Sequence, residues 1–126
     1  MDISIKKLAI PKELCETKNA ESGQTIVHCK VADAELIRIW KTTFLVQNTG
    51  TKAELLYADG ISIAPEWSYV MHNNGYAYFT LIFESLDADC SSFYLDEIIP
   101  EPNGFYTRSV KKNTSGVYTV ELLTKA

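Results

Sequence analysis

The sequence predicts an all-β fold: a single β-sandwich domain of about eight antiparallel strands. Three observations carry this. Short runs rich in β-branched and aromatic residues recur at about the 8–12-residue spacing of sandwiches and barrels. All six glycines, at 23, 50, 60, 75, 104 and 116, fall between those runs. No run alternates with a convincing amphipathic helix, which disfavours a doubly wound α/β fold. Some runs are apolar on both faces and others alternate, as central and edge strands of two packed sheets do.

The elements follow in order. D-I-S-I-K-K-L reads as a first strand ending near Pro11. Glu13–Gly23 is polar and loop-like, with room for one helical turn. Q-T-I-V-H-C-K-V-A is a second strand, and Leu36–Val46 is one long or bent strand ending at N-T-G. Lys52–Tyr57 is a strand with a helical alternative. In I-S-I-A-P-E-W-S-Y-V, Pro65 marks an edge strand or a break. M-H-N-N-G signals a turn of the Asn-Gly kind. Y-A-Y-F-T-L-I-F is a central strand, apolar on both faces. E-S-L-D-A-D-C then connects to S-F-Y-L-D-E-I-I. P-E-P-N-G is a rigid turn, and F-Y-T-R-S-V-K-K and V-Y-T-V-E-L-L complete the series.

The segment from Phe79 to Glu97 resembles one found in small bacterial immunoglobulin-like β-sandwich proteins. There a strand F-T-L-x-F is followed by x-x-L-P, a few small or polar residues, and F-x-L-x-E. Phe79, Thr80, Leu81, Phe83, Leu86, Phe93, Leu95 and Glu97 match, and Asp87 stands where the proline is usual. The resemblance covers about twenty of 126 residues. It implies an immunoglobulin-like sandwich of uncharacterised or adhesive type and carries no catalytic residues with it.

Composition bounds the function. A length of 126 residues suits one domain with a proper core. Residues 31–102 hold eleven acids against three Lys or Arg, which argues against nucleic acid. Residues 103–126 hold four Lys or Arg against one acid. The acid at position 2 and the alternation after it do not make a signal peptide, and no apolar run approaches the roughly 20 residues of a membrane span, so a cytoplasmic protein without membrane insertion is expected. Cys15, Cys29 and Cys90 are read as free thiols rather than a disulfide framework.

Candidate chemistry is thin. Glu84, Asp87 and Asp89 offer carboxylates, but the loop lacks the glycine and closing Glu of a calcium site, so no metal or other cofactor is expected. The aspartates are read as caps on local backbone N–H groups, with Leu86 plugging one end of the core. His28 and Cys29 are strand neighbours and face opposite ways. Asp87, Asp89, Cys90 and His72 are the only groups an enzyme would have, and no catalytic motif accompanies them. The aromatic residues stand out instead. Trp40 is expected in the core. Trp67, Tyr69, Tyr76, Tyr78, Phe105 and Tyr106 are the candidate binding residues, because exposed Tyr and Trp serve protein and sugar sites. A non-enzymatic module that binds a protein, or a second copy of itself, is therefore expected. A carbohydrate or small-ligand binder using Trp67 and Tyr69 is the alternative.

Overall fold

The computed structural model describes residues 23–34, 36–69 and 75–126. Among them the protein is all-β. Its strands are β1 (Thr25–Ala32), β2 (Leu36–Ile37), β3 (Thr43–Gln47), β4 (Lys52–Asp59), β5 (Ser68–Tyr69), β6 (Tyr76–Phe83), β7 (Ser92–Glu97), β8 (Phe105–Tyr106), β9 (Val110–Lys111), β10 (Val117–Glu121) and β11 (Leu123–Thr124). The first predicted strand, Cys15 and the M-H-N-N part of the predicted turn lie outside the described residues.

Nine strands form one continuous sheet in the order β10-β1-β6-β4-β3-β7-β8-β11, with β9 paired to β7. The remaining two, β2 and β5, form a small antiparallel ribbon. The sheet is mixed, which corrects the expected purely antiparallel arrangement. β1 and β10 run parallel, with Ile26 opposite Val117 and Lys30 opposite Glu121. Parallel partners need long crossovers, and no local turn signal announces them. Only Leu122 separates β10 from β11, so one chain segment pairs with β1 at its start and with β8 at its end. The sheet is thereby bent round to nearly a barrel.

Strand alternation explains what lies inside. In β1, Val27, Cys29 and Val31 are buried, and in β7, Phe93, Leu95 and Glu97 are. Phe79, Leu81 and Phe83 of β6 join them, while Ile82, on the other face of that strand, is also buried. The Phe93 and Tyr118 rings meet edge-on at 4.9 Å. The β3–β4 hairpin closes on Gly50 at φ +98°, a conformation that glycine adopts without strain.

Two predicted strands are broken. Leu36–Val46 divides into β2, a bridge from Ile39 to Ile63, and β3, with a tight turn where Thr43 Oγ1 donates to the Trp40 carbonyl at 2.7 Å. Ile37 and Ile39 point inward, and Leu36, Arg38 and Trp40 take the other face. Trp40 therefore stands outside the core cluster in which it was expected. F-Y-T-R-S-V-K-K likewise divides into β8 and β9.

The stretch Glu84–Cys90 carries the chain from β6 to β7, which are separated in the sheet by β4 and β3. Leu86 enters the core. The Asp87 side chain does not cap local backbone, contrary to expectation. Its Oδ2 accepts from Thr49 Oγ1 at 2.9 Å, while its backbone N–H donates to Gln47 Oε1 at 2.7 Å.

Because Phe93 is 2% exposed and its neighbour Tyr94 is 43% exposed, their truncations should differ sharply. Phe93→Ala is expected to cost about 3–5 kcal/mol and Tyr94→Ala less than about 1 kcal/mol, read from urea unfolding midpoints.

Candidate functional site

A cavity of about 470 Å³ opens beside the small ribbon. Its walls come from the end of β1 and the residues after it, from Arg38 and Trp40, from Trp67, from the loop after β7, and from Thr124 of β11. The first two walls are neighbours in sequence, and the others are remote from them.

Arg38 organises one side. Its guanidinium lies 3.9 Å from the centroid of the Trp67 ring and 5.5 Å from that of Trp40. It donates to the Pro65 carbonyl at 2.9 Å and pairs with Glu101 at 3.5 Å. Arg38 lies just before the Trp40 turn, and Trp67 just before β5. Pairing of Leu36 with Tyr69 and of Ile37 with Ser68 brings these stretches together. Ser68 Oγ adds a bond to Ser62 Oγ that fixes the ribbon to the preceding loop.

Glu97 organises the other side. It is 2% exposed, at the end of β7. One carboxylate oxygen accepts from the Trp40 N–H at 3.0 Å, and the other from the Phe105 N–H at 2.9 Å. Its carbonyl accepts from Lys125 Nζ at 3.0 Å, and Lys125 also pairs with Asp96 at 2.6 Å. Burial raises the Glu97 carboxyl above its ordinary range. The two backbone N–H groups and Lys125 oppose that shift, and the Glu101 charge adds to it. The loop turns through Asn103 at φ +77° and passes Gly104, where a Cβ would stand 2.6 Å from the Glu97 carbonyl oxygen.

The six aromatic candidates do not form one surface. Trp67, 51% exposed, and Phe105 line the cavity. Tyr69 is 89% exposed and stands opposite Leu36 on the ribbon. Tyr76 and Tyr78 share the outer face of β6, with ring centroids 6.3 Å apart and Lys30 Nζ 4.5 Å from the Tyr76 ring. Ala32, opposite Tyr76 in the sheet, lines the cavity, so this pair begins beside its edge and leads away. Tyr106 belongs elsewhere, in a shallow hollow with Tyr94, Asp96 and Lys125.

Arg38, Trp40 and Glu97 were not among the candidates. Glu97 carried a signal nonetheless. In F-x-L-x-E the strand period puts the acid on the same side as Phe93 and Leu95, inside the fold.

The other polar candidates are dispersed. His28 is exposed and hydrogen-bonded to Thr80 Oγ1 at 2.8 Å. Cys29 is buried, which pushes its thiol up. Cys90 is buried and its Sγ donates to the Ser92 carbonyl at 3.3 Å. His72 lies outside the described residues. Among the described residues no group of three or more His, Cys, Asp or Glu is placed to hold a metal ion, and no helix is long and apolar enough to cross a membrane.

Comparison with family models, with curated proteins and with solved structures gives no significant match.

Two outcomes follow from this geometry. The folded chain holds the Glu97 proton more tightly than the unfolded chain does. Its contribution to stability is therefore lost as pH rises from about 4.5 through the raised value. The stability difference between wild type and Glu97→Gln should fall over that interval and then level off, measured by denaturation across a pH series. Gly104→Ala forces a methyl against backbone and should cost about 1–3 kcal/mol in the same measurement.

Proposed function

We propose that this chain is a non-enzymatic binding module that engages a partner protein at the mouth of the Trp67 cavity. One observation carries the proposal: Trp67 is half exposed while Arg38 stacks at 3.9 Å and holds its ring in place. An aromatic anchor already fixed in one orientation loses little freedom on binding, and such anchors dominate protein interfaces. Leu36 and Tyr69, both exposed on the adjoining ribbon, extend the apolar area beside it. Engagement of thiols and carboxylates in structural bonds, as at Cys90, Asp87 and Glu97, favours binding over catalysis. We read the nearly closed sheet as a variant of the immunoglobulin-like sandwich that the Phe79–Glu97 segment resembles.

A carbohydrate or other small ligand is the second reading. It is favoured by the size of the cavity, within the range of small-molecule sites, and by polar groups placed beside an indole.

Arrays of peptides and of glycans, each probed with wild type and with Trp67→Ala, separate the two. Protein binding predicts peptide signals that fall at least about tenfold in the variant, as loss of an anchor aromatic does. Glycan signals alone would transfer the site to the second reading. Silence on both arrays would sink both.

A further inference from the structure

We infer that the cavity receives a basic side chain, an arginine or lysine, carried on an extended segment of the partner protein. This rests on the protein-binding role proposed above and names the chemistry of the ligand. Among the described residues, four that line the cavity carry formal charge: Asp33, Glu97 and Glu101 against Arg38. That one lining cation among the described residues is engaged by Trp67, the Pro65 carbonyl and Glu101, with its Nε buried and unpartnered. Lys125, which reaches the Glu97 carbonyl from outside, is paired with Asp96. The cavity therefore presents net negative charge between low-dielectric walls, which concentrate its field.

Two of the acids retain acceptor capacity. Glu101 is half exposed, and its contact with Arg38 is long, at 3.5 Å. Among the described residues the Asp33 carboxylate has no hydrogen-bond or ion-pair partner, and Asp33 is held at φ +57°, at the exit of β1. An ionised carboxylate has about four acceptor sites, so both can take further donors. An anionic ligand would meet three like charges here. A cationic one meets unspent acceptors in a cavity lined by Trp67, Trp40 and Phe105. Arg38 shows the compatibility within the molecule itself, since its guanidinium rests against both indoles.

The occupant is a protein segment because the exposed neighbours Leu36 and Tyr69 suit apolar contacts on either side of the charged residue. The acids inside make that segment basic by charge complementarity.

The test uses the full chain and the blocked peptides hexa-arginine, hexa-serine and hexa-glutamate, with tryptophan fluorescence as the readout. Hexa-arginine is expected to bind saturably, more weakly at raised salt, and hexa-glutamate not at all. The double variant Asp33→Asn/Glu101→Gln should weaken hexa-arginine binding by at least about tenfold. The control Asp89→Asn/Glu121→Gln removes two exposed acids away from the cavity and should leave it unchanged. Equal losses in both double variants, or no saturable binding, would overturn the inference. The peptide array distinguishes the two levels of the argument. Trp67-dependent hits that are neutral or acidic leave protein binding standing and remove the basic ligand, whereas an array without Trp67-dependent peptide hits removes both.

Discussion

The C-terminal strand segment, Val117 to Thr124, is the constraint on which the rest of the molecule depends. Its first half is hydrogen-bonded to β1 and its second half to β8, and the change of partner occurs at Leu122. Leu122 is buried and donates its N–H to the Lys30 carbonyl at 2.9 Å. Two residues further along, Thr124 stands opposite Phe105 and forms part of the cavity wall. A sheet lacking this segment would expose the edges of β1 and β8, each a row of unpaired backbone groups. The cavity exists because those two ends are held near one another without being paired directly.

Glu97 does at side-chain level what the last strand does for the backbone. A buried carboxylate is costly unless its oxygens are satisfied, and here both accept backbone N–H groups from opposite walls. A hydrophobic residue of similar size would fill the volume and leave the Trp40 and Phe105 amides without acceptors. The acid thus sets the distance between the Trp40 turn and the β8 loop. Arg38 sets the position of Trp67 on the facing side, so both walls are fixed by charged groups rather than by packing alone.

Much of the strand content was legible because long strands advertise their period. Tyr76–Phe83 was read with the bounds it has, and Thr25–Ala32 and Lys52–Asp59 within two residues of theirs. Two-residue strands such as β2, β5 and β8 are too short to show any period. In Leu36–Val46 the inward pair Ile37 and Ile39 imitates a continuous strand, and nothing apolar marks the turn that the Thr43 hydroxyl makes with Trp40. The parallel pairing of β1 with β10 leaves no local trace, since it joins residues that share no turn. The site was legible only in fragments for the same reason. Trp67 and Phe105 were named for their residue types and loop settings, but what joins them is a cavity assembled from distant segments. Tyr106 was grouped with Phe105 by adjacency, and strand alternation sends the two to opposite faces.

The parallel ladder also sets an order of events during synthesis. Residues such as Ile26 and Val117 lie roughly ninety positions apart, so β1 leaves the ribosome long before its neighbour exists. The β3–β4 hairpin emerges next, β6 can then pair with both β1 and β4, and β7 adds to β3 after it. The β10–β11 segment closes both ends of the sheet at once. Until it emerges the nascent chain has neither a finished rim nor a binding cavity, and its open edges are what a chaperone or an unwanted neighbour would find.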